Sequence, residues 1–109
     1  CAAETNEEAQ WLRSSALQST LNLRRGQPGR LPPPVKDLES QISAQERMML
    51  DELQTASMVG SPETVRQGLE AFIERTGADE LIVAAQIYDH QARKRSYEIA
   101  AELAITQAA

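Results

Sequence analysis

Leu12, Ala16, Leu17 and Leu21 recur at the three- and four-residue spacing that lays one apolar face along a helix. Thr5-Asn6-Glu7-Glu8 ahead of them has the form of a capping box, in which a hydroxyl and a carboxylate satisfy free backbone donors at a helix start. Arg24 and Arg25 place cations at the far end and Gly26 a stop, so the pattern predicts a helix over 6–25.

The stretch GQPGRLPPPVKDLES, 26–40, then holds four of the five prolines and breaks every periodicity. Proline cannot donate a ladder or helix hydrogen bond, which makes this an extended, solvent-facing connection. Ser43-Ala44-Gln45-Glu46 is a second capping box, opening a helix to about Gln54 with Met48 or Met49, Leu50 and Leu53 inward. QTASMVG, 54–60, is too short and mixed to assign.

Ser61-Pro62-Glu63 is a strong helix start: a hydroxyl cap, a proline whose missing N–H costs nothing there, and an acid facing the positive end. Val65, Leu69, Phe72 and Ile73 form the apolar stripe of that helix, and Gly77 ends it. Gly68 inside it weakens the helix by about 1 kcal/mol relative to Ala, which points to close packing at that position.

Leu81-Ile82-Val83-Ala84-Ala85 is apolar without alternation and β-branched at its centre, the pattern of a strand buried on both faces of a parallel sheet. A last helix follows from about Asp89 to about Gln107, with Tyr97, Ala100, Leu103 and Ala104 on one side and Arg93, Lys94 and Arg95 largely solvated. The order is helix, loop, helix, helix, strand, helix. The expected class is α/β, predominantly helical, with one or two short strands. A lone parallel strand has no neighbours in such a chain, so the expectation is a piece of a larger sheet protein.

Composition narrows the function. Of 109 residues 41% are hydrophobic and 25% charged, which is ordinary for one folded domain. Residues 1–36 carry five basic and three acidic side chains and 37–109 carry six and thirteen, so neither half offers a basic face for phosphates. With four aromatics, stacking platforms for bases are absent too, and nucleic acid is a poor expectation.

No apolar run approaches the ~20 residues that span a bilayer, no membrane partner is expected, and the cytoplasm is the expected location. The single cysteine, Cys1, cannot form an internal disulfide. The start lacks Met and reads as a fragment of a longer protein. A lipid-bearing Cys1 would instead precede a flexible polar tether rather than a helix signal. There is no glycine-rich phosphate loop, no Cys/His cluster with metal spacing and no nucleophile with a local base, so no metal is expected.

Residues 59–104, VGSPETVRQGLEAFIERTGADELIVAAQIYDHQARKRSYEIAAELA, resemble the carboxyl-terminal end of the bacterial luciferase-like, alkanal monooxygenase-like flavin-dependent monooxygenases. AAETNEEAQWL and RRGQPGRLPPPV resemble the segments preceding that end, so the resemblance covers essentially the whole chain. It implies the last third of a (β/α)₈ TIM barrel. Residues 1–25 would be the end of strand 7, at Cys1-Ala2-Ala3, with its helix; 26–42 the proline-rich loop; 43–77 two helices; and 78–109 strand 8 with the closing helix. The loop would lie near the barrel mouth, where a lid over a reactive intermediate shields it from water.

The resemblance further implies reduced FMN, dioxygen and a small organic substrate such as an aldehyde, with a flavin reductase as partner and a homo-oligomer as the assembly. As such barrels place chemistry at the carboxyl ends of strands, it brings Gln86 and Tyr88 forward as pocket-lining candidates and His90 as a catalytic candidate. Two readings of His90 stay open: an acid/base or flavin-adjacent group, or a first-turn helix residue behind Asp89 as N-cap. Trp11 and the Met48-Met49 pair read as packing groups. The competing reading for the chain is a helical protein-interaction module without catalytic activity. The fragment itself is expected to be inactive.

Overall fold

The computed structural model describes residues 1–108, with side chains described through Leu103; Ala104, expected on the packed side of the closing helix, lies outside the described side chains. Four helices form, α1 (Asn6–Arg24), α2 (Ala44–Leu53), α3 (Pro62–Thr76) and α4 (His90–Ala108), with a short 3₁₀ turn at Glu39–Gln41.

The caps explain the boundaries. Thr5 Oγ1 accepts from Glu8 N at 3.1 Å, and Ser61 Oγ accepts from Thr64 N at 3.4 Å ahead of Pro62. Ser43 and Glu46 close the full reciprocal box, at 3.2 and 3.0 Å. Gly77 ends α3 at φ 68°, a left-handed conformation that glycine adopts without steric cost. The Glu46 carboxylate is held by the Arg25 guanidinium at 2.8 and 2.9 Å, which pins α2 to the end of α1 and lowers that carboxyl to about 2.

Leu81–Gln86 does not form the expected strand. The segment carries no ladder, Ile82 is 101% exposed, and Leu81 and Val83 are also open to solvent. The physical reason is the one the sequence raised: a parallel strand needs neighbours on its edges, and none is at hand for this one. Among the described residues there is no strand at all, only one parallel bridge, Ala2↔Gly60. Ala3 N donates to Gly60 O and Gly60 N to Cys1 O, each at 3.1 Å. The unassigned stretch QTASMVG thus supplies the partner of the chain start.

Two clusters make the core, divided by that bridge. Ala3, Ala9, Leu12 and Ile87 pack with Cys1, Val59 and Ala85; Ala2, Val65 and Ile99 pack with Met58, Leu69 and Leu103. Ala2 and Ala3 go to different clusters, as alternation along an extended segment requires. Gly68 is where α3 packs against the Met58 side chain. A Cβ there would lie 2.7 Å from Met58 Cγ, so the glycine inside the helix is a packing device.

Of the inner face expected for α2, Leu50 is buried and Met49, one of the two methionine alternatives, is half-buried, whereas Met48 and Leu53 are exposed. Trp11, expected to be a packing group, is 41% exposed. The proline-rich segment is tied to α1, since Ser14 Oγ accepts from Val35 N at 2.8 Å and Gln18 Nε2 donates to Pro33 O at 2.9 Å.

Candidate functional site

The carboxyl ends of the bridged segments and the start of α4 meet at one rim. Glu4 follows Ala3, and its carboxylate accepts from Arg95 Nε of α4 at 2.6 Å. Asn6 Oδ1 accepts from Ser61 N at 2.7 Å, joining the first turns of α1 and α3 across a separation of 55 residues. The sequence offered Asn6 only as a member of a capping box. Its cross-chain bond depends on the Ala2↔Gly60 bridge, for which the pattern carried no signal.

The three expected site residues reach this end of the molecule but do not converge. Gln86 and His90 are exposed, and Tyr88 is 54% exposed. Between them Ile87 is buried, so the chain here alternates about one anchoring residue. Asp89 Oδ2 accepts from Ala92 N at 2.8 Å, which makes Asp89 the N-cap and His90 the first residue of α4. Arg93 Nη2 lies 2.5 Å from His90 Nδ1. A guanidinium only donates, so Nδ1 is the acceptor of this contact.

Two cavities exist elsewhere. One, of about 620 Å³, lies between α1, the segment 35–39 and α2; the other, of about 430 Å³, lies between α3, α4 and residues 80–84. Neither is lined by Gln86, Tyr88 or His90, and Arg13 lines both. Arg13 Nη2 donates to Ser57 Oγ at 3.2 Å, while its Nε is buried without a partner. Burial holds its pKa below the usual guanidinium value. No group of three or more His, Cys, Asp or Glu side chains among the described residues could hold a metal ion.

The Cys1 amine donates to Met58 O at 2.9 Å and is lowered from 8.0 to about 6, first by burial and then by the charge of Arg13. A base depressed in the folded state contributes stability that is present above its unfolded pKa and lost as pH falls through the folded one. The chain should therefore lose on the order of 1–2 kcal/mol between pH 8 and pH 6. Urea unfolding across this range measures it, and acetylation of the amine should flatten the curve; an unchanged slope after acetylation would remove this amine as the cause.

No family model matches the chain. It is 43% identical over 94% of its length to the uncharacterized Bacillus subtilis protein YvbT, and 39% identical over 94% to a luciferase-like monooxygenase of Escherichia coli K12. In each case it covers 30% of the relative. The crystal structure of apo-MsnO8 superposes with a TM-score of 0.77 at 31% identity, over 94% of this chain and 32% of that one. No described helix is long and apolar enough to cross a membrane. The chain is thus similar over nearly its whole length to a carboxyl-terminal-like portion of proteins that include luciferase-like monooxygenases, and it spans about 30% of the length of the curated relatives it matches.

Proposed function

We propose that this chain is the carboxyl-terminal portion of an FMN-dependent monooxygenase, which uses reduced flavin and dioxygen to oxygenate a small organic substrate such as an aldehyde. The observation that carries the reading is the 39% identity, over 94% of the chain, to the Escherichia coli luciferase-like monooxygenase. The parallel bridge supports a refinement. Cys1–Ala3, Met58–Gly60 and Leu81–Gln86 each lead into a helix, as the strand ends of three successive β/α units of a barrel would. On that reading Cys1–Ala3 lies one strand earlier than the resemblance first suggested.

The residues present do not by themselves fit a flavin. A ring needs an enclosing apolar wall and a phosphate needs a free cation or clustered N–H donors. At the rim, Arg95 is engaged by Glu4 and Arg93 by His90, and neither cavity opens onto Gln86, Tyr88 or His90. The flavin contacts are therefore assigned to the part of the relatives that this chain does not span. The chain is expected to contribute the end of the wall and to be inactive alone.

Titrating FMN into the 109-residue chain should leave flavin fluorescence unchanged, whereas a protein with the length of the relatives should quench it saturably. In that longer protein His90→Ala is expected to lower turnover several-fold with flavin affinity unchanged. Saturable FMN binding by the short chain would overturn the assignment of the contacts. Unaltered kinetics of aldehyde-dependent flavin oxidation would remove His90 from the chemistry and leave it as a helix-start residue.

A further inference from the structure

We propose that residues 26–42 form a releasable strap, which opens from α1 as one unit while both core clusters stay folded, and which the Arg25–Glu46 ion pair holds shut. Between Leu21 and Leu50, 2% and 1% exposed, no described residue is buried, and none packs on either cluster. A segment without buried apolar surface opens at a smaller free energy than the fold as a whole. What closes this one is polar.

Three sets of contacts do so. In the middle, Ser14 Oγ accepts from Val35 N at 2.8 Å and Gln18 Nε2 donates to Pro33 O at 2.9 Å. Towards the far end, Arg47 of α2 pairs with Glu39. At the base, the Arg25 guanidinium grips the Glu46 carboxylate through Nε and Nη2 and also donates to Gln41 O at 3.3 Å. One side chain thereby ties the two ends of the segment together, and its two-point grip fixes orientation as well as distance. Gly26, at φ 76° with nothing within 4 Å of a Cβ, is the turn about which the strap swings.

Stiffness makes the segment move as a unit. Pro32, Pro33 and Pro34 have a fixed φ and no N–H, so they stay extended whether or not the strap lies on α1. Opening exchanges the bonds of Val35 N and Pro33 O for bonds to water, and it withdraws Val35 and Leu38 from the groove they line with Trp11 and Leu17. Dissolved salt weakens an exposed ion pair, so ionic strength sets the open fraction and with it access to this side of α1. None of the closing contacts involves Leu81–Gln86; all lie within the consecutive stretch 14–47.

Amide hydrogen exchange of the 109-residue chain, followed by NMR, tests this because the Val35 N–H reports closure directly. Val35 should exchange about tenfold or more faster than Leu12 and Ile99, and about tenfold or more slower than the same residue in an unstructured peptide. Raising NaCl to about 0.5 M should speed Val35 several-fold relative to Leu12 and Ile99. Glu46→Gln keeps a residue able to close the capping box of α2 and removes only the charge. It should speed Val35 several-fold at low salt and abolish most of the salt effect. Exchange of Val35 at the rate of Leu12 would mean that strap and core open together, and exchange at the peptide rate that the strap does not close. Either result overturns the proposal, as does an unaltered Val35 rate in folded Glu46→Gln.

Discussion

Gly60→Ala is expected to destabilise the chain by about 2–4 kcal/mol, more than any other single methyl addition to it. Gly60 makes both hydrogen bonds of the parallel bridge, to Ala3 N and Cys1 O. A Cβ at this position would stand 2.6 Å from Asn6 Oδ1 and 2.6 Å from Thr64 Cγ2, closer than real Cβ contacts come. Neither neighbour is free to yield. Asn6 Oδ1 is occupied by Ser61 N, and Thr64 lies in the first turn of α3. Accommodation must open the bridge or break the Asn6–Ser61 bond, and each of those holds the starts of α1 and α3 together. Urea unfolding at constant m-value measures the effect, with Gly29→Ala as the control because nothing lies within 4 Å of a Cβ there. A Gly60→Ala midpoint equal to that of Gly29→Ala would show that the bridge does not organise the fold.

The second large effect separates two readings of one apolar segment. Ile87→Ala should cost about 2–4 kcal/mol, as deletion of a fully buried aliphatic side chain does, whereas Ile82→Ala should stay within about 0.5 kcal/mol. Ile87 is 1% exposed and closes a cluster with Ala3, Ala9 and Leu12; Ile82 is 101% exposed. Were Leu81–Gln86 a strand buried on both faces, the two substitutions would cost alike. On the proposed barrel reading, the same pair of substitutions in a protein with the length of the relatives is expected to converge. Equal costs in the short chain would restore the strand that the sequence pattern suggested.

The helices were legible because their signals are local. A hydroxyl cap, a proline at the first position, a glycine past the end and an apolar stripe all act within a few residues, and α1, α2 and α3 begin and end within two residues of their expected bounds. The strand was misread for the converse reason. The run from Leu81 to Ala85 has the apolar, β-branched composition of a sheet-buried strand, but a strand forms only against neighbours from elsewhere in sequence, and none among the described residues pairs with it.

Met58–Gly60 was missed because two bridged residues leave no periodicity to detect. The rim was partly legible. Asp89 as cap and His90 behind it follow from residue type, while the Asn6–Ser61 bond follows only from three-dimensional proximity. Arg13 shows the limit most plainly. Nothing in the pattern sets it apart on α1, and only its half-buried place beside Ser57, with Nε unpartnered, distinguishes it.

Ser96, buried on α4, accepts the N–H of Ala2 through its hydroxyl at 2.9 Å, on the edge of Cys1–Ala3 that faces away from Gly60. In this contact the hydroxyl oxygen accepts one N–H and so covers a single rung of that edge. Another chain segment arriving alongside could take the same N–H with a carbonyl, exchanging one hydrogen bond for another of similar worth, about 1 kcal/mol net in either case. The serine therefore keeps the first rung from standing bare, where unpaired edges template aggregation.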